Sequence, residues 1–234
     1  MKVVFALLAA GSGRRFGAYK PAVCLNGRPL IYWSLKAIQE QKKWIDRVVL
    51  ALPPSWTWSR LRAIRSVPED FPWEPVVVSG GMTRFESLKN CLKALRTAAL
   101  QDGAPDYLFV HDAARPLWPS SWIRAMLKLL ESDPKASGVV PLADVRETIK
   151  MVNGSIQTLK ERDQLKVSQT PQLVRWDDFE DALSKFSDQK NFLDEVQILE
   201  LAGRRILPYP GSPFNLKVTF PEDLEMLRGL AGKM

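Results

Sequence analysis

Residues 3–9, Val-Val-Phe-Ala-Leu-Leu-Ala, form an uncharged apolar run that passes at once into Ala10, Gly11, Ser12 and Gly13. A run this short cannot span a bilayer. It reads as a strand buried on both faces, as in a parallel sheet, and such a sheet needs helices on either side to cover it. Ala9, Ala10, Gly11, Ser12 and Gly13 leave little side chain in the following turn, so backbone N–H groups there can close around an anion. Arg14, Arg15 and Lys20 add cations just beyond it.

Several readings compete for this loop. A dinucleotide fingerprint wants a third glycine where Phe16 stands, and a Walker loop wants a Gly-Lys-Ser/Thr that the stretch lacks. A loop serving a nucleoside triphosphate attacked at its α-phosphorus fits Gly-x-Gly-Arg-Arg followed by Lys20-Pro21 and Gly27-Arg-Pro-Leu30. The same residues would also make an ordinary tight turn with solvated arginines.

Downstream, apolar strand patterns alternate with helical ones. Helices are expected over Pro29–Gln41 (Leu30, Trp33, Ala37 and Ile38 on one side), near 59–65, from Thr83, over 119–131, 177–185 and 193–201, and at the C-terminus. Strands are expected over 48–52, 75–79, 106–110, 138–142, 168–174 and, at an edge, 205–209. The rhythm gives an α/β fold with a mostly parallel, Rossmann-like sheet in one domain spanning 1–234. Thr83-Arg-Phe-Glu86 is a capping box, so Gly80, Gly81 and free helix N–H groups should face the sheet's C-terminal edge. A second box is read at Thr219 and Glu222.

The strand at 106–110 runs into His111-Asp-Ala-Ala-Arg-Pro116. Ligands bind beyond the carboxyl ends of strands in such sheets, which suits Asp112 to holding Mg²⁺ on phosphates. Arg115 could pair with phosphate or a neighbouring carboxylate, and His111 reads as a hydrogen-bonded loop histidine rather than a catalyst. Lys217, between Leu216 and Val218, is either snorkelling or facing an anion. Asn153-Gly154 marks a two-residue hairpin turn, making 143–164 a protruding β-arm. That register sets Glu147 against Lys160 and Arg146 against Glu161. Two strands alone are marginal in water, so the arm is expected to pack on a second copy, giving a homodimer.

The net charge of +7 comes from 33 basic residues interleaved with 26 acidic ones, and the eight tryptophans are scattered. No arm, stripe or stacking platform results, so phosphorylated small molecules are favoured over nucleic acid. With no signal-peptide pattern, a cytoplasmic protein without membrane attachment is expected. Cys24 and Cys91 make no metal or disulfide framework and read as buried free thiols.

Seven motifs in this order resemble the 2-C-methyl-D-erythritol 4-phosphate cytidylyltransferase family. They are Leu-Leu-Ala-Ala-Gly-Ser-Gly-Arg-Arg-Phe-Gly at 7–17, Gly-Gly-x-x-Arg-x-x-Ser at 80–87, Val-His-Asp-Ala-Ala-Arg-Pro at 110–116, Arg-Glu-Thr at 146–148, Gln-Thr-Pro-Gln at 169–172, Asp-Glu at 194–195 and Asn-Leu-Lys-Val-Thr with Pro-Glu-Asp-Leu at 215–224. The resemblance implies a nucleotidyltransferase sheet with a dimerisation arm, CTP and a polyol phosphate as substrates, and Mg²⁺ or another divalent cation. It implies catalytic roles for Arg15, Lys20 and Lys217 at the α-phosphate, and a metal role for Asp112. It further implies substrate contacts by the 9–13 turn, Gly80, Gly81, Arg84, Ser87, Ala113, Arg115 and Thr170, and by Thr148 and Arg162 on the arm. The chain departs from many members in carrying Tyr19 before Lys20, Met82 where an Asp can stand, and Leu193 before Asp-Glu. A sister activity on ribitol 5-phosphate, and a non-catalytic nucleotide-binding homologue, are the alternatives.

Overall fold

In the computed structural model, which describes residues 1–11, 16, 19, 22–159, 164–186 and 191–231, the apolar run becomes β1 (Val3–Leu8), an interior strand of the sheet paired on both sides. Successive side chains of a strand point to opposite faces. Val3, Phe5 and Leu7 therefore join one core with Ile31, Leu35, Trp118 and Met126. Val4, Ala6 and Leu8 join another with Phe85, Leu88, Leu92 and Phe179. This explains why no polar residue interrupts the run.

The chain continues through β2 (Cys24–Leu25), β3 (Arg28–Pro29), α1 (Leu30–Glu40), β4 (Arg47–Leu52), α2 (Trp58–Ala63), β5 (Val76–Ser79) and α3 (Arg84–Asp102). Next come β6 (Tyr107–Asp112), α4 (Trp122–Ser132), β7 (Ala136–Asp144), β8 (Lys150–Asn153), β9 (Ser155–Thr158), β10 (Lys166–Ser168) and β11 (Gln172–Arg175). The last elements are α5 (Trp176–Ser184), α6 (Glu195–Leu201), β12 (Arg205–Pro210) and α7 (Pro221–Ala231). Strands β5, β4, β1 and β6 are parallel, β11 enters antiparallel between β6 and β7, and β12 runs parallel to β7 at the edge. The mostly parallel sheet with helices on both faces is the expected one.

Several local expectations are corrected. The strand over 168–174 is interrupted at 169–171. Pro171 has no N–H for a ladder, and β10 and β11 pair with separate stretches of β7. The arm pairs Lys150 with Thr158 and Val152 with Ile156, one residue away from the expected register. The turn is not a two-residue one: Gly154 alone takes a positive φ of 68° while Asn153 stays in the strand. Lys160 and Glu161, the expected partners of Glu147 and Arg146, lie outside the described residues. Cys91 is buried as expected, but Cys24 is exposed on its short strand. In α1 the buried set is Leu30, Ile31, Ser34, Leu35, Ala37 and Ile38. Trp33 lies outside it, half-buried, donating its indole N–H to the Leu25 carbonyl at 3.1 Å.

The capping box of α3 forms as expected between Thr83 and Glu86. At α7 Glu222 is replaced by Asp223, whose carboxylate accepts from the N–H groups of Thr219 (2.7 Å) and Phe220 (2.8 Å). Thr219 instead turns its hydroxyl to the Lys217 carbonyl. Leu224 and Leu227 then fix α7 against Leu25, Leu30, Leu117 and Val218, which fastens the segment that carries Lys217.

Candidate active site

Three strand ends meet at one edge of the sheet. Leu8 stands in register with Asp112 across β1 and β6, and Gly80 donates its N–H to the Leu52 carbonyl at 2.7 Å just past β5. A cavity of about 730 Å³ opens there, bounded by Ala9, Ala10 and Gly11 from β1, by Gly80–Arg84, Glu86 and Ser87 from the start of α3, and by Asp112, Ala114 and Lys217. Gly80 has a steric reason: a Cβ on it would fall 1.9 Å from the Ala10 Cβ. Only glycine lets β5 close on the turn after β1.

Part of the backbone at this rim is engaged within the chain. Gly81 donates to Ser87 Oγ at 3.1 Å, while the Ser87 hydroxyl donates to the Thr83 carbonyl at 3.0 Å. Met82 and Thr83 donate to Glu86 Oε2 at 2.6 and 3.3 Å. The capping box therefore takes up the N–H groups of Met82, Thr83 and Glu86. The Met82 side chain points to solvent.

The polar end of the cavity is a four-residue ion network. Asp112 Oδ1 accepts from Arg84 Nε at 2.7 Å, and Oδ2 accepts from Lys217 Nζ at 2.6 Å. The Arg84 fork turns its other nitrogens onto Glu195, Nη1 to Oε1 at 2.6 Å and Nη2 to Oε2 at 2.9 Å. Burial alone would raise the Asp112 carboxyl, but the Arg84 and Lys217 cations outweigh it and hold it well below the usual carboxylate range. Burial pushes Glu195 up, against the pull of Arg84. Two cations and two carboxylates leave the network formally neutral.

Behind Asp112 a chain of hydrogen bonds fixes its backbone. Its N–H donates to Thr170 Oγ1 at 3.1 Å, and that hydroxyl meets His111 Nδ1 at 2.9 Å. His111 Nε2 lies 3.0 Å from the Arg115 carbonyl, which can only accept. The proton therefore sits on Nε2, and Thr170 donates to Nδ1. Arg115 in turn donates to the carbonyls of Asn215 (2.8 Å) and Ser168 (3.3 Å), and Val218 N–H donates to the Ala114 carbonyl at 2.8 Å. Residues 111–115 and 215–218 are thus laced together, which brings Lys217 to Asp112 across 105 positions of sequence.

Burial, outweighing the neighbouring Asp112 charge, pushes the His111 imidazole down to about 3. A group whose folded value lies below its ordinary one of about 6.5 stabilises the fold fully only above that value, and the contribution is lost as pH falls toward the folded value. Between pH 7 and pH 5 this one residue should cost about 2 kcal/mol of stability. Urea unfolding of the wild type and of His111→Gln at both pH values checks this; equal pH slopes in the two would refute it.

The expected site residues therefore divide. Ala9, Ala10, Gly11, Gly80, Gly81, Arg84, Ser87, Asp112 and Lys217 line one cavity. Ala113, Arg115 and Thr170 are buried and do not line it; Arg115 donates to two backbone carbonyls. Thr148 is exposed on the arm stretch and lines no part of this cavity. Ser12, Gly13, Arg15, Lys20 and Arg162 lie outside the described residues.

Two contributions were missed in the sequence. Glu195 is fully buried on Arg84, and its only signal was the Asp-Glu pair at the start of α6. Tyr19 donates its hydroxyl to the Ala9 carbonyl at 2.8 Å and packs its ring 4.4 Å from that of Trp56, and both rings line the cavity. Leu193, the departure before Asp-Glu, leaves its side chain in solvent and donates its N–H to Gln197 Oε1 at 2.7 Å.

A cavity at the carboxyl edge of parallel strands, with glycine rims and cations at one end, marks an α/β protein that binds an anionic small molecule there. Comparison with known proteins narrows this. The family model for 2-C-methyl-D-erythritol 4-phosphate cytidylyltransferase matches residues 3–229, so the chain belongs to that family. A Dechloromonas aromatica protein of that name is 36% identical over 93% of this chain and 92% of its own length. One from Clostridium perfringens is 34% identical over 95% of this chain and 96% of its own. The crystal structure of the Thermus thermophilus protein of that name superposes with a TM-score of 0.77, covering 99% of this chain and 100% of that one, at 24% identity, a likeness of fold.

Proposed function

We propose that the chain joins CTP to 2-C-methyl-D-erythritol 4-phosphate, giving 4-diphosphocytidyl-2-C-methyl-D-erythritol and pyrophosphate in isoprenoid precursor synthesis. Family membership supports the reaction, and the pairing of Lys217 with Asp112 at the sheet edge is the observation that carries it in this chain. A phosphate oxygen of the sugar phosphate attacks the α-phosphorus, and the bond to the bridging oxygen of the leaving pyrophosphate breaks. The nucleophile is already an anion, so the protein's work is to position two polyanions and to neutralise charge developing on the α-phosphate. Lys217 leaves Asp112 for that phosphate, and the family resemblance assigns Arg15 and Lys20, outside the described residues, to the same group. The Gly80–Ser87 rim and the 9–11 turn hold the nucleoside, whose cytosine is read by backbone.

The donor set suits a hard cation. Among the described residues no three carboxylate, His or Cys side chains cluster, and Glu86 is committed to its capping box. Asp112 alone remains, and a carboxylate offers about four acceptor positions, more than its two cation partners use. Mg²⁺ is commonly held by one or two carboxylates with phosphates completing the shell, so Asp112 would hold it beside the triphosphate. When bound it would supply charge neutralisation on the triphosphate.

The reading includes a cytoplasmic homodimer; among the described residues no helix is long and apolar enough to cross a membrane. The arm exposes Val152 and Ile156, paired across its two strands and both about three-quarters accessible. A second, largely apolar cavity of about 840 Å³ opens at the arm's root, lined by Val145, Ile149, Val167, Tyr209 and Leu216. Packing of two copies through these surfaces would bring Thr148 toward a neighbour's sugar phosphate, a contact the resemblance also implies for Arg162. Val152→Asp with Ile156→Asp should convert a dimer to a monomer in sedimentation velocity, and an unchanged dimer would reject the arm's part. The activity itself is tested by pyrophosphate release from CTP with methylerythritol phosphate or ribitol 5-phosphate. Release with the second alone would overturn the substrate assignment, and absence of Mg·CTP binding by calorimetry would mark a non-catalytic homologue.

A further inference from the structure

The four-residue ion network is unequal in a way that assigns work to its most remote member. Arg84 is held by three bonds to carboxylates, Lys217 by one. The Glu195 side chain is 0% exposed and that of Arg84 23%, whereas Lys217 is 42% exposed. Glu195 is itself anchored: it opens α6, its N–H donates to Gln172 Oε1 at 3.1 Å, and Gln172 and Ser168 both bind Asp194, the residue that caps the helix. One end of the network is therefore built into the fold, and the other faces the cavity.

We propose that Glu195 is a positioning residue for the transfer, resting on the proposed reaction. By taking both Nη groups of Arg84 it leaves only Nε for Asp112, so that Asp112 keeps Oδ2 for Lys217 and for whatever the substrate brings. Arg–carboxylate pairs prefer the two-pronged geometry. Without the Glu195 charge, Arg84 turns its fork onto Asp112 and engages both oxygens, and by neutralising the carboxylate more fully it weakens the hold on Lys217. The carboxylate is then dominated by a fixed cation and no longer holds the mobile one in place. Glu195 touches no substrate in this scheme; it acts through Arg84.

Glu195→Gln keeps the shape and removes the charge. The expected result is a fall in kcat of about tenfold or more with KM for CTP changed less than threefold, since no group contacting the nucleotide is removed. The Lys217 amine, released from Asp112, should react several times faster with acetic anhydride, read against the other lysines by mass spectrometry. Because breaking a buried pair can unfold a protein, Arg84→Lys is the second variant. It keeps the cation and loses the fork that spans both carboxylates, so it should lose kcat to the same extent. In the double variant the loss should equal the larger single loss. Wild-type kcat in folded Glu195→Gln, or in Arg84→Lys should the first not fold, overturns the proposal, as do losses that multiply. A wild-type protein inactive on methylerythritol phosphate would instead reject the reaction assigned above. Lys217 labelling would then decide the positioning role alone, an unchanged rate in the folded variant rejecting it.

Discussion

Lys217→Ala should lower kcat by roughly a hundredfold or more, the loss typical of one preorganised transition-state donor. The Lys217 ammonium is the cavity's exposed cation paired with Asp112, at 2.6 Å, and it is held by a single carboxylate. Its release exchanges one anion for another, so little reorganisation is needed when the triphosphate arrives. Removing it also changes the formal charge of the network from zero to −1, with Arg84 balanced against Asp112 and Glu195. CTP should therefore bind more weakly as well, and KM for CTP should rise while kcat falls. Steady-state kinetics at fixed Mg²⁺ checks both. The fold should be indifferent, because the side chain is 42% exposed and the buried bonds of the 215–218 segment come from backbone and Asn215. Near-normal turnover would dismiss the role of Lys217, and a matching loss on Lys20→Ala would extend the argument to the loop.

What the sequence made legible follows the range of the forces involved. The α3 capping box is complete within four residues, and Thr83 and Glu86 declare it without help from elsewhere. The double-faced burial of β1 is equally local, since any polar residue in 3–8 would have faced one core or the other. The arm's register failed because Asn153-Gly154 permits more than one turn, and an arm with no buried face has no hydrophobic pattern to choose between them. The α7 box failed because Asp223, one position on, reaches the same N–H groups as Glu222. Cys24 was misjudged because residue type alone says little on a two-residue strand.

The site was legible in a different sense. Asp112 could be placed at a strand's carboxyl end from pattern, and Lys217 stood out as a charge between apolar neighbours. Their meeting was expected only because the motifs resemble a family, since nothing local joins positions 105 apart. Glu195 stood in the Asp-Glu motif of the same resemblance, but nothing local gave it a role. A carboxylate in the first turn of a helix is ordinary, favoured there by the helix dipole. Only the fold shows it fully buried against an arginine 111 positions earlier. For Arg115 the sequence offered a phosphate or a carboxylate, and had no way to show the carbonyls through which it ties residues 111–115 to Asn215 and Ser168.

Asp112→Asn should have the larger effect on the chemical step and the opposite one on binding. The amide keeps the shape and one acceptor oxygen but no longer carries charge, so it loses its hold on the Lys217 ammonium and becomes a poor ligand for a hard cation. With both functions impaired, kcat should fall roughly a thousandfold, at the upper end of what a single charge-stabilising group contributes. The network's formal charge becomes +1, with Glu195 balancing only one of the two cations. CTP alone should then bind at least as tightly as to the wild type, while the Mg²⁺ concentration for half-maximal rate rises. The stability cost should stay modest for a buried charge change: Arg84 retains both oxygens of Glu195, and Lys217 is exposed enough to take water. Calorimetry of CTP binding with and without Mg²⁺, beside a Mg²⁺ titration of the rate, separates these effects. A wild-type response to Mg²⁺ would remove Asp112 from any part in holding the metal, and weakened CTP binding without Mg²⁺ would contradict the charge argument on which the Lys217 prediction also depends.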